Sequence, residues 1–305
     1  MVIRTFAGLA AAMAGSRPLR PAVAGAEDTA TLAALAAALE NGRISGAVLA
    51  GDPARISALL SPELAGQVEI RPAASAAESA SLAVAAIREG RADVLVKGSV
   101  DSAAYLRAVV ARDTGLRASD VLSNLTLAEM PSLPRLLGAT DNGIIVLPSL
   151  EQKRAILRNA LPLFRGLGVT PLHVAVIAAS EKVHPSQPAT ADAAALRDDW
   201  AHGDGTVLVD GPFGYDVALS PAAAEKKGFA ASPVAGHADL ILFPSIEAGN
   251  ATVKAWKLHG QARTASLVMG ASVPVLLNSR ADGAEQRYLG LLLAAAVLAG
   301  RETNG

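Results

Sequence analysis

Short apolar runs alternate along nearly the whole chain with longer stretches in which Ala and Leu recur at helical spacing. Bounded by Gly, Pro, Asp and Asn, the short runs read as buried strands, and the alternation predicts an α/β fold with a mostly parallel sheet covered on both faces. Strands are expected at 21–24, 46–50, 67–71 and 92–96, with helices at 31–39, 55–60 and 75–89 between them. Asn41-Gly42 closes the first helix, and Gly51-Asp52-Pro53 supplies a turn, a cap and a first-turn proline for the second. Two more strands are expected at 121–127 and 143–147, joined by a connection bearing Pro and Gly, with Thr140-Asp141-Asn142-Gly143 as a turn. A second set of units opens with a helix at 150–167. Its strands fall at 172–178, 206–209, 240–243 and 267–269, and its helices at about 190–201, 220–227 and 249–259. In PVLLNSRADGAEQRYLGLLL (274–293) a last apolar strand ends in Asn278-Ser279-Arg280, and a helix begins almost at once.

Composition narrows this picture. With 305 residues, 51% hydrophobic but only 3% aromatic, the core must be built from Ala, Leu, Val and Ile. No linker is marked by composition. The expected division is therefore a first α/β domain at 1–147 and a second at 148–278, resting on Pro148 and the reset of the pattern, with a C-terminal helix at 279–305 returning to the first. A formal charge of -1 gives no electrostatic footprint for nucleic acid. The absence of Cys excludes disulfides, a cysteine nucleophile and thiolate metal sites. The longest apolar run, 289–299, is too short to span a bilayer, which takes about 20 residues, so it reads as a buried helix and no membrane partner is expected. MVIRT followed by FAGLAAAMAGS imitates a signal peptide, but RPLRPAVAGAEDTATL then reads as the first strand and turn of a fold that wants a preceding helix. The expectation is a cytoplasmic protein.

Candidate chemistry gathers at strand ends. Lys97-Gly98-Ser99 follows an apolar strand and precedes a helix, so its ammonium and backbone N–H groups can face an anion; equally, it fits an ordinary strand-to-helix turn. The GxxxxGK spacing of a P-loop is absent. Arg107, two residues past Tyr105, is either a solvated helix residue or a fork for phosphate. Asn250, in Glu247-Ala248-Gly249-Asn250, either caps a helix or binds a ligand. Gly211-Pro212-Phe213-Gly214 reads as a turn after the strand that ends near Asp210. The histidines at 173, 184, 202, 237 and 259 show no metal-ligand spacing, and no metal site is expected. Ser279 and Arg280 place a hydroxyl and a guanidinium where open α/β sheets bind ligands, with carboxylates just beyond.

Six ordered blocks resemble the phosphate acetyl/butyryltransferase family, and most of all its butyryltransferase branch. They are VLVKGSVDSAAYLRAVV (94–110), LPSLEQKRAILRNAL (147–161), IAASEKVHPSQPATADAAAL (177–196), VDGPFGYDVALS (209–220), SPVAGHADLILFPSIEAGNATVKA (232–255) and PVLLNSRADGAEQ (274–286). The resemblance implies a two-domain, three-layer αβα fold like that of isocitrate and isopropylmalate dehydrogenases, active as a homodimer. It implies reversible transfer of a short acyl group, butyryl or acetyl, between CoA and inorganic phosphate, both as substrates, with no metal and no further cofactor. The roles it implies are catalytic for Ser279, Arg280 and Glu285, and phosphate or CoA binding for Lys97, Gly98, Ser99, Arg107 and Asn250. One departure stands out. Acetyltransferases of the family carry an Asp six residues after the strand-end Arg, where this chain has Gln286. The nearest carboxylate, Glu285, is either the base or the closing residue of a capping box begun by Asp282. Two other functions fit the same elements: a non-catalytic acyl-CoA-binding protein, and a fold-related NAD-dependent decarboxylating dehydrogenase. The second lacks a GxGxxG fingerprint and a metal-binding acidic pair.

Overall fold

The computed structural model describes residues 2–279 and 282–302. The chain forms two compact units, one of residues 6–120 with 265–302, the other of residues 2–5 with 121–264.

The first unit contains α1 (Phe6–Ala12), β1 (Pro21–Ala24), α2 (Thr29–Glu40), β2 (Ala47–Gly51), α3 (Pro53–Leu59), α4 (Pro62–Ala65), β3 (Val68–Pro72), α5 (Ala76–Arg88), β4 (Val94–Lys97) and α6 (Ser102–Val110). The second contains β5 (Ser123–Glu129), β6 (Leu137–Thr140), α7 (Leu150–Gly166), β7 (Leu172–Ile177), α8 (Pro188–Trp200), β8 (Val207–Phe213), α9 (Tyr215–Leu219), α10 (Pro221–Lys226), β9 (Leu240–Leu242) and α11 (Ile246–Leu258). The chain re-enters the first unit within β10 (Arg263–Met269) and finishes there with β11 (Val275–Leu276) and α12 (Ala284–Glu302).

In the first unit the strand order is β3-β2-β1-β4-β11-β10, parallel except between β10 and β11. From β1 the chain steps outward to β2 and β3, then jumps back to β4 on the other side of β1. Right-handed crossovers put the helices of opposite steps on opposite faces. Accordingly α2 packs with α12, while α5 packs with α6 and over β1 and β2. The reversal falls between β1 and β4, which makes that pair the topological switch point. Ala-rich faces allow close helix-sheet approach: α5 buries Ala80, Ala83, Val84, Ala86 and Ile87. The N-terminal α1, the signal-like stretch of the sequence, buries Phe6 and Leu9 and packs on α12.

In the second unit the order is β5-β6-β9-β7-β8, with β5 and β6 antiparallel and the other pairs parallel. Three expectations change here. The strand expected at 143–147 is β6, at Leu137–Thr140; the apolar residues after it form a loop whose Val146 and Leu147 are 61% and 75% exposed. The N–H groups of Gly143, Ile144 and Ile145 are taken by the Asp141 carboxylate instead of a neighbouring strand. Because β6 pairs with β9, residues 121–147 belong to the second unit, so the division falls at 120/121 and the return at 264/265, not at 147/148 and 278/279. Finally, Gly211-Pro212-Phe213 lies inside β8, where the register shifts between Ala175 and Ile177. A Cβ on Gly211 would stand 2.6 Å from the Val176 carbonyl oxygen, so the irregularity requires glycine.

Candidate active site

At the switch point β1 leaves through Gly25 and β4 through Lys97-Gly98-Ser99. The two exits are bonded backbone to backbone: Gly98 N donates to Ala24 O at 2.8 Å and Ser99 N to Gly25 O at 2.7 Å. A Cβ on Gly98 would sit 2.0 Å from Gly25 O. Gly25 itself has φ +68° and would meet Ser99 Oγ and Val100 N at 2.7 Å. Glycine at both positions is therefore a steric requirement of this turn. Lys97 is buried, 4% exposed, and its Nζ donates to Gly98 O at 3.3 Å.

Beside the turn lies a cavity of about 320 Å³ bordered by Gly25, Glu27, Asp52, Arg55, Ser79 and Ser99, all of them just past strand ends or in the helices that follow. Two side chains clasp its loops. Ser79 Oγ accepts from Gly25 N at 2.6 Å and donates to Ala50 O at 2.9 Å. The Glu27 carboxylate accepts from Asp52 N and, at 3.4 Å, from Ser99 Oγ. Sequence reasoning missed both. The signal for Glu27 lay in Glu27-Asp28-Thr29, where Asp28 alone caps α2 by accepting from Thr31 N at 2.7 Å and leaves the Glu27 carboxylate for the loops.

Ser279 reaches the same edge by a neighbouring route. β11 pairs with β4 in parallel, Leu276 opposite Val96, so Asn278-Ser279 continues past the strand end next to Lys97-Gly98. Ser279 is exposed; its N–H donates to Asp282 Oδ2 at 2.8 Å, and Asp282 N returns a bond to Ser279 O at 3.1 Å. Arg280 lies outside the described residues. Helix α12 starts at Ala284, and Gly283 N donates to Gln286 Oε1 at 3.0 Å. The residue that closes the helix start is thus Gln286, not Glu285: the helix begins one residue later than an Asp282 cap requires. Glu285 is exposed in the first turn. Asn278 is buried, and its Oδ1 has no hydrogen-bond partner among the described residues.

Arg107 is an exposed residue of α6. Its helix is fixed by the fully buried Tyr105, whose hydroxyl donates to Leu276 O at 3.0 Å and whose phenol is pushed up by burial. Asp101, the α6 cap, is held below its ordinary value by the Ala104 N–H and, to a lesser degree, by the charge of Arg107. In the second unit Asn250 lies within α11, past the Ser245 cap position, and donates from Nδ2 to Asn142 O at 3.1 Å. It is not a helix cap. A Cβ on Gly249 would stand 2.7 Å from Asp141 O, so Gly249-Asn250 is the surface on which the 141–145 loop rests. Burial pushes the Asp141 carboxyl up, against four backbone N–H groups, from Asn124, Gly143, Ile144 and Ile145, that pull it down.

The arrangement in the first unit is that of a ligand crevice at the carboxyl edge of a doubly wound sheet, with a buried ammonium, a glycine turn and an exposed serine on adjacent strands. A sequence profile described as phosphate acetyl/butaryl transferase matches residues 67–295. The chain is 39% identical over 274 residues to the probable phosphate butyryltransferase of Bacillus subtilis (strain 168), covering 90% of this chain and 91% of that protein. It is 35% identical over 300 residues to the phosphate butyryltransferase of Clostridium acetobutylicum, covering 97% and 99%. In structure it is similar to a branched-chain phosphotransacylase from Enterococcus faecalis V583, with TM-score 0.81, 24% identity, and 92% and 99% of the two chains covered. A 4-hydroxythreonine-4-phosphate dehydrogenase from Klebsiella pneumoniae shares the fold at TM-score 0.52 and 11% identity, covering 92% and 99%. The fold class is thus the dehydrogenase-like αβα architecture, and the protein is an acyltransferase. It belongs to the phosphate acetyl/butyryltransferase family.

Proposed function

We propose that the protein catalyses the reversible reaction of a short acyl-CoA with inorganic phosphate to give an acyl phosphate and CoA. The observation that carries this reading is the meeting of Lys97-Gly98-Ser99 and Ser279 at the ends of the adjacent strands β4 and β11. A phosphate oxygen attacks the thioester carbonyl carbon, the C–S bond breaks, and the thiolate takes up a proton. Lys97 and the turn hold the phosphate, with Arg107 as a further phosphate contact. Ser279 hydrogen-bonds the developing charge on the tetrahedral intermediate or thiolate, and Arg280 neutralises the carbonyl oxygen. In the direction that makes acyl-CoA, Glu285 takes the thiol proton. Holding the two substrates at attack distance is worth as much as about 7–11 kcal/mol.

Butyryl is favoured over acetyl as the acyl group. The butyryltransferases resembled here are matched over 91%, 99% and 92% of their lengths, whereas the acetyltransferases are matched over 62% to 75%. The working form is a cytoplasmic homodimer that needs no cofactor beyond its substrates. A net charge of -1 argues against a nucleic-acid partner, and no helix among the described residues is long and apolar enough to cross a membrane. The test is CoA release from butyryl-CoA and acetyl-CoA with and without phosphate. Release is expected only with phosphate and faster from butyryl-CoA; no phosphate-dependent release from either thioester refutes the reaction.

A further inference from the structure

Arg287 lies two residues beyond Glu285 on α12 and is 4% exposed. Its Nη1 donates to the Lys97 carbonyl oxygen at 3.1 Å and to Thr31 Oγ1 at 2.9 Å, and its Nη2 stands 3.5 Å from Asp28 Oδ2. A single guanidinium therefore joins the end of β4, the first turn of α2 and the helix that follows Ser279. Its satisfaction is incomplete. Nε has no hydrogen-bond partner among the described residues, and the other oxygen of Asp28 is committed to capping α2. Taking a cation out of water is costly, and an apolar pair of similar size in place of Arg287 and its carboxylate partner would fill the same space without that cost. What an apolar side chain lacks is a fixed charge and a rigid fork of donors.

Both are aimed at the strand end that presents Lys97. The Lys97 carbonyl is clamped from behind by Arg287, while the next two N–H groups, of Gly98 and Ser99, are clamped from the side by Ala24 O and Gly25 O. The peptide that bears the buried ammonium thus has no freedom to rotate, and a second positive charge stands beside it. The geometry points to Arg287 as a positioning residue for the anionic substrate: it fixes the Lys97-Gly98 peptide and adds positive potential at the carboxyl end of β4. The inference rests on the reading of Lys97-Gly98-Ser99 as the phosphate site.

The experiment is steady-state kinetics of phosphate-dependent CoA release with either substrate varied, beside thermal melting, for wild type, Arg287→Met, Arg287→Lys and Thr31→Val. Arg287→Met leaves the Lys97 carbonyl and the Asp28 carboxylate without this donor, so it is expected to melt several degrees below wild type and, measured below that transition, to raise the KM for phosphate about tenfold while leaving the KM for acyl-CoA within about twofold. Arg287→Lys, which keeps the charge without the fork, falls between the two. Should Arg287→Met not fold, Thr31→Val decides, because it removes one acceptor and leaves the cation in place; a two- to fivefold rise in phosphate KM, on the order of a weakened single hydrogen bond, is expected. The assignment is overturned if folded Arg287→Met or Thr31→Val keeps the wild-type phosphate KM, or if both substrates' KM values rise together. A wild type without phosphate-dependent release refutes the proposed reaction itself, whereas an active wild type with an indifferent Arg287→Met refutes only this role.

Discussion

Gly98→Ala is the smallest change that reaches the strand-end turn. The added methyl would lie 2.0 Å from Gly25 O, 2.9 Å from Gly25 C and 3.1 Å from Ala24 O, and all three are backbone atoms. No flexible side chain can yield, so the β1 and β4 exits must separate by about an ångström, an amount that overpacking a tight site normally converts into about 1–3 kcal/mol. Separation also stretches the bonds Gly98 N to Ala24 O and Ser99 N to Gly25 O, 2.8 and 2.7 Å long, each worth about 0.5–1.5 kcal/mol. The combined loss is about 2–6 kcal/mol, and at about 2–4 °C per kcal/mol for a unit of this size its melting transition should fall by at least about 4 °C. Differential scanning calorimetry reads that shift, and phosphate KM, measured below the transition, should rise because the ammonium-bearing peptide is displaced. A variant that melts within about 1 °C of wild type with an unchanged phosphate KM would refute the steric reasoning and the importance of the turn together.

Other outcomes follow from the same contacts. Gly249→Ala puts a methyl 2.7 Å from Asp141 O, and should lower the denaturant midpoint through a loss of about 1–3 kcal/mol. Tyr105→Phe leaves the Leu276 carbonyl without its buried donor and should cost about 1–3 kcal/mol by the same measurement. Glu69 is held below its ordinary value of 4.5 by bonds from Arg91 and Arg71, so its contribution to stability is present above that value and is lost as the pH falls through the lowered one. Glu69→Gln should therefore melt slightly below wild type at pH 7, with the gap closing in strong acid. Glu285→Gln should slow the direction that consumes CoA and remove the lower limb of its pH–rate profile; an unchanged profile would send the search for the base elsewhere.

Most elements were legible because their apolar runs and caps obey local rules. Asp28, Asp52, Ser75, Asp101 and Ser149 all cap the helices that follow them. The errors occur where a long-range partner overrides local pattern. Ile144-Ile145-Val146-Leu147 has strand composition, but a single carboxylate, Asp141, absorbs the N–H groups that a neighbouring strand would need. The Leu137–Thr140 strand was hidden by the prolines and glycine around it, and its pairing with β9 moves the unit boundary. The placement of Lys97-Gly98-Ser99 and Ser279 at adjacent strand ends was legible because strand ends are visible in order along the chain. The contacts of Glu27, Ser79 and Arg287 were not, since their partners lie 25, 54 and 190 residues away in sequence. Gln286 is a subtler case: helix starts vary by a residue or two, and one residue exchanged the capping role between it and Glu285.

In the proposed reaction the buried ammonium at the end of β4 holds the phosphate. The measurement that tests it most directly is the KM for phosphate of Lys97→Met, with butyryl-CoA saturating and the fold verified by melting. A rise of at least about tenfold, the loss of one charge-assisted contact of roughly 1.5–3 kcal/mol, with a nearly unchanged KM for butyryl-CoA, is the predicted result. A folded, active Lys97→Met with the wild-type phosphate KM would contradict it.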